Sequence, residues 1–426
     1  MTLPMLTVTR AKSAQLGLTG SFFTQGFLSI TFLPRIPELM DQIGVNFAQW
    51  GLIMGLSGLG GMIPLLFGNR LIMRVGTRPI MFIGSALVSV MVATFGFARN
   101  GLTFFFLIFG MSFLMSIYNL ALNSQSIMFQ NRIGRVVLGK FHATWSIGAA
   151  LSSVVSGLLA TFMPLWLHLL IVPGLTLVVF MYFTGKVLAP HEDGHTEERA
   201  KAIKVPFFKS PSMVWLLAAG LFTGVFPELM MMDWSAVFGR DVLGLDAGLQ
   251  AVPYTVFVVS MIAGRLLIAP ITKRFHVSEY ARVGAFVGAV AMLCGVWLGT
   301  GLAETGSGQG NAIFALAVSS IFWAIAGLGI AAMVPSFFSA AGHVPGMPTA
   351  QVMARMQLVN SITVLLAKIL MGAIAEGISL SFAFWFPVVV LLASGFLAGK
   401  VAARLKRHEV VANAFPPTGP IGAVND

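Results

Sequence analysis

Uncharged, apolar stretches recur along nearly the whole chain, separated by short polar clusters. Residues 16–34, 42–69, 79–98 and 100–131 contain no Asp, Glu, Lys or Arg, and neither does 141–185, which is long enough for two passes. A bilayer core takes roughly 20 apolar residues per helix, and this chain offers roughly twelve such segments. The pattern predicts helices over 16–37, 46–69, 77–98, 101–129, 139–162, 164–186, 213–238, 248–272, 279–300, 312–341, 350–376 and 380–403. The longest polar interruption, 191–209, falls after six spans with six remaining. This predicts an N-terminal six-helix bundle over 1–187, a cytoplasmic linker over 188–212, a second six-helix bundle over 213–408 and a disordered cytoplasmic tail over 409–426. The expected fold class is all-α and integral to the membrane, with twelve transmembrane helices in two pseudo-symmetric bundles.

The halves carry traces of one another. Residues 67–78 and 268–279 both join the second and third helices of their half, and an offset of 200 places Arg274 on Arg74 and Gly284 on Gly84. The first and seventh helices align at 198–199, with Phe23-Thr24 on Phe222-Thr223 and Gly26 on Gly224. Parallel six-helix repeats with a site between them are a transporter architecture.

Composition agrees with the pattern. Hydrophobic residues make up 57% and charged ones 10%, against roughly 25% charged in soluble proteins, and mean hydropathy is +0.88. No soluble catalytic domain fits between the spans. Cys294 is the single cysteine, which excludes a disulfide framework and a thiolate metal site. Arg10 and Lys12 before the first apolar run resemble a signal peptide, but no small-residue cleavage site follows, and the segment is expected to be the first helix. The net charge of +11 has a topological cause. Of the 26 Lys and Arg, the drawn spans leave Arg35, Arg99 and Arg240 outside, put Arg265 and Lys368 within helices, and place the other 21 on the side of the termini. That asymmetry is the positive-inside rule. It predicts both termini in the cytoplasm and needs no nucleic-acid partner.

Several short strings carry a family resemblance. Arg74-Val75-Gly76-Thr77-Arg78 resembles the basic, Gly-turned loop between helices two and three of the major facilitator superfamily. Arg35-Ile36-Pro37, Phe141-His142-Ala143, Glu228 with Asp233-Trp234, Phe338-Ser339-Ala340-Ala341-Gly342 and Ala375-Glu376-Gly377 resemble a bacterial inner-membrane branch of it. The resemblance implies alternating access by rocking of two bundles, with Arg74, Gly76, Arg78, Lys273 and Arg274 in conformational loops. The chain departs from the family at Met73 and Lys273, where the loop usually has an Asp, and at Asn119, where the branch often has an acid. The Pro-containing signature of drug/proton antiporters is absent from 148–157, which argues against a multidrug exporter.

Ionisable groups inside a membrane are costly and usually face a cavity or a partner. Glu228 and Asp233 stand on the seventh helix, about 140° apart around its axis. Either carboxyl suits a proton carrier or a substrate contact; a structural role at the bend of Pro227 is the rival reading for Glu228. Arg35 falls opposite Asp233 in the repeat, so the two suit an outer gate or a substrate contact; snorkelling of Arg35 toward the headgroups is the rival reading. Lys368 interrupts an apolar run beside Gln357, Asn360 and Thr363, and is expected to pair with Glu228 or to bind an anionic group, with snorkelling to the outer interface as the rival reading. Arg265 is a candidate for substrate binding or for an internal anchor. Asn119, Asn123 and Gln125 on the fourth helix, with His142 and Trp145 on the fifth, suit a polyhydroxylated or zwitterionic solute. Interhelical hydrogen bonds explain the amides equally well.

No metal-ligand spacing, phosphate loop or hydrolytic triad is present, so no cofactor or metal is expected. The reading is a monomeric, multi-pass inner-membrane secondary transporter, not an enzyme. It would move a small polar or amphipathic organic solute, coupled to protons by symport or antiport. A non-transporting sensor or scaffold and a membrane-embedded enzyme are the alternatives.

Overall fold

The computed structural model describes residues 6–134, 137–189, 192, 206–271, 277–306, 308–342, 344, 347 and 349–414. Among these there is no strand, and twelve helical spans are long and apolar enough to cross a bilayer. They are α1 (Val8–Ile43), α2 (Phe47–Val75), α3 (Thr77–Phe95), α4 (Gly101–Ile133), α5 (Leu138–Ala160), α6 (Leu165–Thr184), α7 (Ser212–Asp241), α8 (Leu249–Ile268), α9 (Glu279–Glu304), α10 (Gln309–Ala341), α11 (Gln351–Gly377) and α12 (Leu380–Arg404). With an even number of spans, α1 begins and α12 ends on one face, where α6 also ends and α7 begins. That side is called here the linker face, and the other the far face.

The first span extends past its expected end because prolines bend it rather than stop it. An α-helix over Val8–Ile30 gives way to a 3₁₀ turn over Leu33–Arg35, and a short helix follows over Ile36–Ile43. Pro34 and Pro37 both sit in first turns, where a missing N–H costs nothing. Gly44, at φ +66°, ends the segment in a left-handed cap. Asn46 then opens α2 with a reciprocal capping box to Gln49.

Helix pairing repeats between the halves. In the first, α1 packs on α5 and α6, α2 on α4, and α3 on α4 and α6; in the second, α7 packs on α11 and α12, α8 on α10, and α9 on α10 and α12. Each pair reappears with six added to both numbers. The largest contacts that join the halves, α2 with α11 and α5 with α8, exchange under the same rule. Both lie near the far face. There Gly51 meets the backbone of Gly372, and Gly157 meets Gly248 and Ala251. Arg240 at the end of α7 donates to the Pro37 carbonyl (2.8 Å) and to Asp41 (2.6 Å). The Phe47 N–H donates to Glu376 at 3.0 Å.

Small residues set the tightest seams, as expected where lipid supplies no hydrophobic drive between helices. A Cβ on Gly284 would fall 2.2 Å from the carbonyl oxygen of Gly329, so α9 and α10 approach to backbone contact. Its repeat partner Gly84 faces Tyr118 across the equivalent α3–α4 seam, 3.3 Å from the side chain.

Candidate functional site

Held together at the far face, the halves enclose a cavity of about 580 Å³. It runs toward the linker face as far as Leu65 and Gln357, both exposed. The first half lines it with Ser57, Ser112, Ser116, Met54, Met111 and Trp145, which are neutral and largely apolar. The second half brings the charge: Glu228 and Asp233 from α7, and Lys368 with Gln357, Asn360 and Ser361 from α11. Along α11 the lining positions are Gln357, Asn360, Ser361, Val364, Leu365 and Lys368, a helical stripe at spacings of three and four. Thr363, expected in that stripe, lies off it, and its hydroxyl donates back to the Val359 carbonyl at 2.7 Å.

Two ion pairs join helices of the second half at the cavity, among the described residues. The Lys368 ammonium lies 2.6 Å from Asp233 Oδ2, joining α11 to α7. The Asp233 side chain has no exposed surface, while that of Lys368 keeps 13%. Apart from this ion pair, neither Asp233 oxygen has a hydrogen-bond partner among the described residues. Arg265 reaches from α8 to Glu228 at 3.3 Å. Lys368 therefore pairs with Asp233 and not, as expected, with Glu228; Arg265 takes that place because α8 packs on α7 beside it.

The expected gate between Arg35 and Asp233 does not form. Arg35 is fully buried, but it turns back into its own half. It grips Glu38 through Nε at 2.7 Å and Nη2 at 2.6 Å, donates to the Met163 carbonyl at 3.0 Å, and contacts His168 Nδ1 at 3.2 Å. The physical reason is the 3₁₀ turn, which places Arg35 and Glu38 three residues apart at the start of a new helix. The far-face bridge between the halves is Arg240–Asp41. No feature of the sequence singles out that pair, because both residues sit in polar segments typical of helix ends.

The fourth-helix amides turn inward to helix packing rather than to this cavity. Gln25 on α1 donates to Asn119 Oδ1 at 2.5 Å. Asn123 donates to its own helix at the Asn119 carbonyl, 2.9 Å away. Gln125 is buried and donates to Thr77 (2.7 Å) and to the Leu188 carbonyl (2.9 Å), which fastens α4 to the start of α3. His142 is exposed near the linker end of α5 and stands edge-on to Phe22, with ring centroids 5.1 Å apart. None of these four lines the cavity described, whereas Trp145 and Asn360 do. Asn360 is 6% exposed, and its Oδ1 has no hydrogen-bond partner among the described residues. Tyr254 of α8, which sequence reasoning missed, is a further lining residue. Its proximity to both carboxylates depends on the α7–α8 approach, which a one-dimensional pattern does not contain.

Between α2 and α3, Gly76 takes φ +86°, a conformation that favours glycine, and so makes the turn. Arg74 is exposed, and Arg78 donates to the Gly185 carbonyl at 2.6 Å. Lys273 and Arg274 lie outside the described residues.

Twelve spans in two like halves, with a charged cavity between them, define a transporter-type membrane protein. A family model described as Major Facilitator Superfamily matches residues 18–347, and the chain belongs to that family. An uncharacterized MFS-type transporter of Yersinia pestis is 24% identical over 387 residues, 89% of this chain and 94% of its own. An uncharacterized transporter of Sinorhizobium fredii is 26% identical over 377 residues, 87% and 93% of the two chains. Among solved structures, the nucleoside transporter NupG superposes with a TM-score of 0.67 at 15% identity, covering 92% of this chain and 99% of its own. A bacterial homologue of the lysosomal transporter Spinster, captured inward-facing and occupied, gives 0.70 at 14% identity, covering 93% and 98%. At such identities these two structures bear on the fold alone.

Proposed function

We propose that this chain is a monomeric secondary active transporter of the inner membrane. It carries a small polar or amphipathic organic solute by alternating access and is coupled to protons through Glu228 or Asp233. The observation that carries this reading is the asymmetry of the inter-half contacts. They gather at the far face, through Arg240–Asp41, Phe47–Glu376 and the Gly51–Gly372 approach, while the charged cavity runs toward the linker face. The positive-inside bias makes the linker face cytoplasmic, so the form described is open inward. The division at 1–187 and 213–408 then marks two bundles that rock against each other. No nucleotide-binding motif accompanies the spans, and an ion gradient supplies the work.

Reconstituted protein tests the coupling, using a solute chosen by thermal stabilisation of the purified chain. A proton gradient should drive its uptake. Replacing the coupling carboxylate, by Glu228→Gln or Asp233→Asn, should abolish gradient-driven uptake and spare counterflow exchange. Undiminished gradient-driven uptake in both variants would rule out proton coupling through α7.

A further inference from the structure

The Lys368–Asp233 pair is an unusual way to spend a lysine. Asp233 is wholly buried and leans on one partner, and Lys368 is the member of the pair with surface in the cavity. A ligand can touch the ammonium without touching the carboxylate. The ammonium has three donors on a flexible stem, and the ion pair uses one direction of it.

The surroundings bear on what happens if Lys368 is drawn away. Glu228 is engaged by Arg265, and Arg35 by Glu38. Tyr254 is the titratable group of α8 that lines the cavity. Arg240 is held by Asp41 and Asp241 at the far face. Span α10 contains no charged residue, and the basic Lys400 and Arg404 of α12 sit at its linker end. Among the described residues, no cation besides Lys368 is within ion-pair reach of Asp233. An ionised carboxylate left alone in a buried site costs several kcal/mol, so Asp233 must take a proton when its partner leaves.

On this basis, and resting on the transport reading above, we propose that the cavity takes a small organic monoanion whose carboxylate recruits Lys368 while Asp233 accepts one proton. Lys368 stays an ammonium throughout. One ion pair is exchanged for another, one proton enters from solvent, and the loaded cavity keeps the net charge of the empty one. A cation would find Asp233 without exposed side-chain surface and Glu228 already engaged by Arg265. A neutral solute would leave the pair intact and gain nothing from it. Asn360 extends the specificity. Its buried, unpartnered Oδ1 lies about 12 Å along α11 from Lys368 at 1.5 Å per residue, and it asks for a hydrogen-bond donor at the other end of the ligand. Met54, Met111 and Trp145 line the same cavity and suit an apolar body.

The probe is p-hydroxyphenylacetate, with its carboxamide and tyramine as neutral and cationic counterparts of the same shape. Calorimetry on the purified full chain, in buffers of differing ionisation enthalpy, reads affinity and proton uptake together. The anion alone should bind, with about one proton taken up per anion. Lys368→Met should weaken binding roughly thirtyfold or more, and Asp233→Asn should retain binding but lose the proton uptake. A ligand-free readout stands beside these. Lys368→Met should acquire the infrared carbonyl band of a protonated carboxyl at neutral pH, and adding Asp233→Asn should remove it. Failure of the anion to bind, binding of tyramine or the amide in its place, uptake of no proton, or absence of the band in Lys368→Met would each overturn the assignment. The transport reading is tested apart from any ligand, by the accessibility of a cysteine at Ser361 from either face of sealed vesicles, so the two can fail separately.

Discussion

Arg35 shows how much a single side chain can do when its partners are fixed. A guanidinium has no acceptor, so His168 Nδ1 must accept from it, which puts the ring proton on Nε2, 3.2 Å from Thr31 Oγ1. Thr31 in turn meets Ser156 at 3.2 Å, and the network ties α1, α5 and α6 together. Lysine has one point of charge and no fork. Arg35→Lys should therefore strand at least one buried acceptor and destabilise the protein by about 1–3 kcal/mol, seen as a lower melting temperature in detergent. Cavity accessibility should not change, because Arg35 does not reach the other half. At this scale the sequence identified the charged residues worth attention, since any ionisable group among apolar neighbours stands out. It did not identify their partners. Lys368 and Asp233 are remote in the chain and meet because α7 packs on α11, while Arg35 and Glu38 meet across a local 3₁₀ turn that periodicity does not foresee. Gln125 misled for a related reason. A buried amide satisfied by a backbone carbonyl looks, in sequence, the same as one facing a solute.

Helices impose their own limits, and the sharpest is the α9–α10 seam. Gly284→Ala would push a methyl group against the backbone of Gly329, which cannot rotate away. A loss of roughly 1–3 kcal/mol is expected from such overpacking. Gly174→Ala on α6 is the control, because a Cβ there meets nothing within 4 Å. Thermal melting of both variants decides the matter: equal effects would mean that the seam does not set the packing. The second element-scale prediction concerns α7, whose end is fastened to α1 by Arg240. Arg240→Ala removes the contacts to Pro37 and Asp41. It should loosen the far face, raising the reactivity of a cysteine placed at Ser57 toward reagent applied from that side. Unaltered reactivity would show that the bridge carries no closing force. Span positions were legible because each needs a long apolar run bounded by charge. The end of α1 was not, since a proline in the first turn of a new helix and one that ends a helix read alike. Hence α1 was expected to stop at 37 and continues to Ile43.

Taken whole, the molecule is two copies of one helix-packing scheme, and the weak repeat in the sequence was enough to suggest it. Arg74 with Arg274 and Gly84 with Gly284 share one offset. The packing of α1–α6 recurs in α7–α12 pair by pair. What the repeat could not convey is which face the halves close, because that depends on contacts between copies. Those contacts put Asp41 beside Arg240 and Phe47 beside Glu376 at the far face, and leave the cavity running to the linker face. In the transport cycle proposed above, this arrangement is one of two, exchanged by rocking. The direct test places a cysteine at Ser361, on the cavity wall, in a Cys294→Ser background, with Asp41→Cys and Arg240→Cys added as a cross-linkable pair. Membrane-impermeant reagent is applied to sealed vesicles of each orientation, before and after cross-linking. Labelling of the Ser361 position from both faces is expected before cross-linking. After cross-linking, labelling from the far face should be lost and labelling from the linker face retained. Labelling from the linker face alone in both conditions would contradict it, since the cavity would then never open to the other side.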